Sequence, residues 1–174
     1  MTDAVADPGD FGPSLTAAKA ARLIAFLLPL TLLAGAFGSQ YFGGLYPCEM
    51  CWWQRYAHFA ALAFAVPALF VSAESRTSRT LVLLAALAIA VSGAIGVYHA
   101  GVEAKIFEGF TQCTATAKGL TPAETLNQII HAPLIRCDEV QFRFLGISLA
   151  GWNAILSLGG AASIVILSLK GRRA

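Results

Sequence analysis

Charge is absent from four long stretches of this 174-residue chain, and that absence restricts the fold more than any other feature of the sequence. The stretches run from Leu23 to Cys48, Tyr56 to Ala73, Thr80 to Val102 and Phe144 to Leu169. Each is near or above the roughly 20 residues that a helix needs to cross a bilayer. Each is too long and too evenly apolar for the one-sided stripe of a surface helix, and none alternates as a barrel strand does. With 57% apolar and 13% charged residues, the chain carries about half the charge of an ordinary soluble domain. Its net charge of +2 is too small for gripping nucleic acid or a polyanionic substrate. The predicted fold is an all-α membrane protein, a bundle of four transmembrane helices at about 22–42, 51–73, 80–100 and 146–169. These form one domain over 19–174, behind a disordered cytoplasmic tail at 1–18 that holds Asp3, Asp7, Asp10, Pro8 and Pro13.

Lys and Arg in short flanking segments resist translocation, so their placement sets the orientation. Lys19 and Arg22 precede the first stretch, Arg76 and Arg79 lie between the second and third, and Lys170, Arg172 and Arg173 close the chain. Seven of the 12 basic residues therefore share one side. Both termini are expected in the cytoplasm, with outer loops at about 43–50 and 101–145. Ala34-Gly35-Ala36 resembles a signal-peptide cleavage site, but the apolar run continues past it through Phe37, Tyr41 and Phe42, which favours a retained helix. The pairs Ser92/Gly96 and Gly159/Ser163 have the small-x-x-x-small spacing that lets helices approach closely, and Pro67 is a candidate kink.

All four cysteines, Cys48, Cys51, Cys113 and Cys137, fall in the two outer loops. An even count on the oxidising side suggests disulfides, and four cysteines allow three pairings. Cys48-Glu49-Met50-Cys51 follows Pro47 at the head of the second helix, where the helix dipole favours a thiolate. Helical spacing puts Cys51 and Arg55 on one face, so that Arg55 adds positive charge beside that thiolate; otherwise it is an interfacial arginine reaching for headgroups. A metal site completed by His58 or His99 is disfavoured, because Cys113 and Cys137 form no second C-x-x-C and His58 falls well below the membrane surface. Two inert disulfides are a stronger alternative, yet a C-x-x-C loop is so short that closing it stabilises little, which favours a redox role. Between Cys113 and Cys137, Thr121-Pro122-Ala123-Glu124 has a capping-box pattern followed by Leu126, Ile129 and Ile130, and predicts a short amphipathic helix on the membrane surface. His99, near the outer end of the third helix, is expected at about the depth of Arg55.

The segment Pro47-Cys48-Glu49-Met50-Cys51-Trp52-Trp53-Gln54-Arg55-Tyr56, with Tyr98-His99-Ala100-Gly101-Val102-Glu103, Arg136-Cys137-Asp138-Glu139, Phe144-Leu145-Gly146 and Gly151-Trp152-Asn153, resembles the disulfide bond formation protein B (DsbB) family over nearly the whole chain after residue 20. The resemblance implies a protein-disulfide:quinone oxidoreductase of the bacterial inner membrane. Such an enzyme reoxidises a periplasmic DsbA-type thiol oxidase and passes the electrons to membrane quinone, ubiquinone or menaquinone. It further implies redox-active disulfides Cys48–Cys51 and Cys113–Cys137, with Cys51 facing the quinone and Cys113 forming the mixed disulfide with DsbA. Arg55 and His99 fall where quinone contacts are expected. Gln54 stands where some relatives carry an acid, and Ala104 to Gly109 is more charged than the aromatic segment of many relatives. Two other readings are a structural membrane subunit stapled by inert disulfides and a vitamin K epoxide reductase-like enzyme. In the latter family the loop cysteines usually precede the membrane-proximal pair, the reverse of the order here.

Overall fold

The computed structural model describes residues 13–109, 121–123 and 136–170. Within them lie four long helices: α1 (Pro13–Tyr41), α2 (Glu49–Leu69), α3 (Arg76–Glu103) and α4 (Leu149–Lys170). Helix α1 packs on α2 and α4, and α3 packs on α2 and α4, while α1 and α3 face each other across the bundle with little contact. The chain is mostly helical, as its apolar stretches predict. Three of the helices are long and apolar enough to cross a membrane, Ala17–Tyr41, Arg76–Glu103 and Leu149–Lys170. Helix α2 carries Glu49, Arg55 and His58 and is not among the three.

Local chemistry explains where the helices start and stop. Helix α1 begins at Pro13, inside the segment expected as a tail, because proline at a first helical position sacrifices no hydrogen bond and comes with φ already set. Cys48 caps α2 and Ser75 caps α3, each side chain accepting the N–H three residues on. Helix α2 ends at Leu69, four residues earlier than expected, two residues beyond Pro67. The Arg22 guanidinium closes this end, donating to Ala68 O in the last turn at 3.0 Å and to Val71 O just past the helix at 2.7 Å. Helix α4 starts at Leu149 rather than 146, because residues 143–148 form a hairpin of two short strands, β1 (Arg143–Phe144) and β2 (Ile147–Ser148). Its two turn residues, Leu145 and Gly146, have φ of 51° and 80°, the left-handed pair of a type I′ turn. Trp152 Nε1 donates to Phe144 O at 2.9 Å and ties the hairpin to the first turn of α4.

The bundle interior is built from small residues, among them Ala21, Ala25, Ala61, Ala65, Ala85, Ala86 and Ala161 around Ile89 and Ile164. Large apolar side chains such as Leu23, Leu27, Leu87 and Ile166 point outward. This inversion of a soluble core is what a helix bundle in lipid requires, where close backbone approach replaces hydrophobic burial. Of the two small-residue pairs, only Ser92/Gly96 lies in an interface. A Cβ at Gly96 would stand 3.0 Å from both Ala150 O and Ala154 N of α4. Gly159 faces open space and Ser163 bonds back to it, whereas Gly160 meets Leu28 of α1. The amphipathic helix expected from Thr121 lies mostly outside the described residues; Pro122 and Ala123 are helical.

Candidate functional site

The end of the bundle where α1 and α3 finish and α2 and α4 begin gathers the chemistry. Cys48 is the N-cap of α2 and Cys51 is three residues on, so the C-x-x-C spacing is that of a helix cap. The Cys51 N–H donates to Cys48 Sγ at 3.3 Å, and the Cys48 thiol donates to Cys51 Sγ at 3.0 Å. Cys137, from the second outer loop, is hydrogen-bonded to Cys48. Cys48, Met50, Val102 and Cys137 form a small buried cluster, with Cys51 and Tyr98 packed against it. The bond with Cys137, then that with Cys51, then burial hold the Cys48 thiol well above the ordinary thiol range, so a proton stays on Cys48. Cys113 lies outside the described residues, as does its expected pairing with Cys137.

Two clamps seat Cys137. Arg136 grips the Asp138 carboxylate through Nε (2.9 Å) and Nη2 (2.8 Å), and Lys105 Nζ donates to its Oδ2 at 2.6 Å and its main-chain oxygen at 2.8 Å. Arg136 and then Lys105 depress the Asp138 pKa far below the usual carboxylate range. Lys105 reaches this position from a left-handed residue (φ 60°) just past α3. There the chain folds back and lays Phe107 over Gly101, stacked on Tyr98 at 5.5 Å. The charged segment Ala104 to Gly109, which opens the second loop, is thus a docking arm for the far end of that loop.

Arg55 is buried at 6% exposure, which removes the headgroup-seeking alternative. It donates to Gln40 Oε1 at 2.6 Å and Ala36 O at 3.0 Å, both on α1, and its guanidinium lies 4.6 Å from the Phe37 ring and 4.9 Å from Trp52. His99 is also buried. Its Nδ1 meets the Gln54 amide nitrogen at 3.0 Å, and its Nε2 faces Cys48 Sγ at 3.6 Å and Glu103 at 3.8 Å. Gln54 therefore aims His99 at the thiols, a role an acid at that position would perform differently. Cys48, Cys51 and His99 bring their ligand atoms within 4.8 Å of one another, a grouping the spacing disfavoured. The sulfurs nevertheless sit closer than the roughly 3.8 Å that two thiolates hold across a tetrahedral zinc with Zn–S near 2.3 Å.

A cavity of about 290 Å³ runs from these thiols into the bundle. Cys48, Cys51, Gln54, Arg55, His58 and His99 line it, and its rim includes the exposed Thr31 and Gly35 of α1 and Leu149 of α4. Exposed residues of the outer loops, Tyr46, Arg136 and Gln141 among them, line it as well, so it reaches the surface at the loops and along α1 and α4. Exposed Tyr41, Tyr46, Trp53 and Tyr56 surround this end of the molecule, as aromatic residues do at a membrane interface. Sequence reasoning gave no role to the α4 residues, above all Asn153, which enters there only through the family resemblance and which bonds His58 across the bundle at 2.9 Å. A polar residue one turn into an apolar stretch was the available signal.

The sequence profile of the family described as disulfide bond formation protein DsbB matches residues 18–167. A disulfide bond formation protein B of Xanthomonas oryzae pv. oryzae is 29% identical over 160 residues, covering 89% of this chain and 92% of that protein. One from Xylella fastidiosa is 28% identical over 161 residues (89% and 92%), and one from Marinobacter nauticus 26% over 135 residues (76% and 80%). No solved structure matches the chain. Its helices mark a multi-pass membrane protein, its cysteines suit the disulfide oxidoreductase activity that the family implies, and with the profile matched over most of its length the chain belongs to the DsbB family of disulfide bond formation proteins.

Proposed function

We propose that this protein is a quinone-dependent thiol:disulfide oxidoreductase of the bacterial inner membrane, with four spanning helices and both termini cytoplasmic, which reoxidises a periplasmic DsbA-type dithiol oxidase. The observation that carries the reading is the gathering of Cys48, Cys51 and Cys137 at the mouth of a cavity that contains Arg55 and opens at the outer loops and along two membrane-facing helices. A cavity of this size, with one buried cation and a thiol at its mouth, fits a quinone ring. The bound quinone supplies a two-electron acceptor.

The residues divide the remaining work. The reduced partner attacks the Cys113–Cys137 disulfide through its own thiolate, forming a mixed disulfide on Cys113 and releasing Cys137 as a thiolate. The partner's second thiol displaces Cys113 and leaves oxidised. Cys137 lies within hydrogen-bond reach of Cys48, the position from which it attacks the Cys48–Cys51 disulfide. The new Cys48–Cys137 bond frees the Cys51 thiolate toward the cavity, with Arg55 one turn below it as counter-charge. His99 stands beside Cys48 on the cavity wall as a second polar contact. Cys113 then attacks Cys137, which restores the Cys113–Cys137 disulfide and releases Cys48, and Cys48 and Cys51 would close again to their disulfide as two electrons and two protons pass to a bound quinone.

The test is a visible absorption spectrum of purified Cys48→Ser protein, in which Cys51 lacks its neighbour. A long-wavelength band that appears on adding quinone and vanishes when Cys51 is alkylated is the expected result. A spectrum indifferent to quinone would leave the stapled membrane subunit as the better reading.

A further inference from the structure

Resting on the reading of the cavity as a quinone site, we infer that His58 is a further ring-binding residue beside Arg55 and His99, and that its Nδ1 accepts a hydrogen bond from a hydroxyl of the hydroquinone, so that the site holds the reduced ring more tightly than the oxidised one. His58 is not among the residues the family resemblance marks. The argument rests on its hydrogen bonds. Its Nε2 lies 2.9 Å from both Asn153 Oδ1 and Ser92 Oγ. The Asn153 amide nitrogen donates to the Ser92 main-chain oxygen at 3.1 Å, and a carbonyl can only accept, so it is the amide oxygen that faces His58. Ser157 Oγ donates to that same oxygen at 3.2 Å. Ser92 Oγ spends its one proton on Gln54 O at 3.1 Å and so also presents a lone pair to His58. Two acceptors at one nitrogen put the proton on Nε2, which leaves Nδ1 as a bare acceptor.

Among the described residues that acceptor has no partner, although the residue is 3% exposed and lines the cavity. A buried polar atom without a partner is costly, and His58 lines the cavity, so a donor on what fills the cavity is the natural partner for this one. A quinone offers only carbonyl oxygens, acceptors like Nδ1 itself. A hydroquinone offers two O–H donors. Preferential binding of the reduced ring makes bound quinone easier to reduce, because a ligand favours whichever state it binds better.

Equilibrium binding of a short-tailed ubiquinone analogue and of its hydroquinone, measured without oxygen on full-length protein carrying Cys51→Ser to block electron transfer, tests the assignment. His58→Gln keeps an amide donor where Nε2 stood and removes the Nδ1 lone pair. It should weaken hydroquinone binding about tenfold, the worth of one hydrogen bond left unmade in a buried site, and leave quinone binding nearly unchanged. Equal losses for both forms, or no loss, overturn the inference. Failure of the parent protein to bind either form sinks the quinone reading and the inference together; binding of both forms with no preference for the hydroquinone sinks the inference alone. Should His58→Gln fail to fold, ¹⁵N spectra of the histidine rings in otherwise unaltered protein decide: a proton on Nδ1 of His58 overturns the inference.

Discussion

Arg55 shows how much one side chain in this chain does. Its guanidinium spends two donors on α1, through Gln40 and the Ala36 carbonyl, and lies over two aromatic rings, which leaves its charge fixed at the cavity wall under Cys51. A lysine reproduces neither the fork nor the stacking. Arg55→Ala is therefore expected to weaken quinone binding about tenfold or more, the cost of one charge-assisted hydrogen bond, while thiol exchange at Cys113 proceeds at the parent rate. Separate assays of quinone reduction and of mixed-disulfide formation check this, and equal loss of both contradicts the assigned role. Cys48, Cys51 and Arg55, which the structure gathers at one end of the bundle, could be singled out in the sequence because their chemistry is carried by residue type and spacing: a C-x-x-C before a charge-free stretch needs little context. Gln40, Gln54, Ser92 and Asn153 were not, since each is an ordinary polar residue until the packing of the four helices brings it to a histidine or an arginine. His58 was visible in the sequence but was weighed only as a metal ligand. Its depth argued against that role, and the same depth makes its unpartnered nitrogen informative.

Among the elements, the α3–α4 contact decides whether that network forms at all. Gly96 lets the α4 backbone approach until a Cβ would meet main-chain atoms at 3.0 Å, and backbone cannot turn aside as a side chain does. Gly96→Val is accordingly expected to destabilise the bundle by about 1–3 kcal/mol, the usual cost of overpacking. Gly159→Ala, in open space, should be neutral or stabilising by up to about 1 kcal/mol, because alanine loses less backbone entropy in a helix. Reversible unfolding in mixed micelles measures both, and similar effects for the two would show that the α3–α4 approach is less close than described. The sequence offered these glycines as equivalent halves of small-residue pairs. Spacing locates a small residue on a helix without saying which way that face points, and here one pair faces α4 while the other faces outward. The hairpin before α4 escaped notice for a related reason. Its strands are two residues each, too short for any alternation to register, and the left-handed Leu145 is a conformation that composition does not advertise.

For the molecule as a whole, the proposed topology turns on α2 crossing the membrane. Its mean hydropathy is lowered by Glu49, Gln54, Arg55 and His58, and hydropathy counts such residues as if they met lipid. Gln54, Arg55 and His58 are buried against the other helices, and the outward face carries Trp53, Phe59 and Val66. Twenty-one residues at about 1.5 Å each give roughly 31 Å, the thickness of a hydrocarbon core. Charge makes the same case independently. If α2 crosses, Arg76 and Arg79 join Lys19, Arg22 and Lys170 on one side; if it does not, two arginines at the head of α3 are stranded on the outer side, against the usual bias. Single cysteines placed at Ser72 and at Gly44, in protein whose own cysteines are replaced by serine, separate the two cases in intact cells. A membrane-impermeant maleimide should label the cysteine at Gly44, next to Leu45 and Tyr46 on the cavity rim, and should label the one at Ser72 only after the cells are opened. Labelling of both in intact cells would place the α2–α3 turn outside. The polar face of α2 would then lie at the membrane surface, and a buried cavity reached from the lipid would lose its basis.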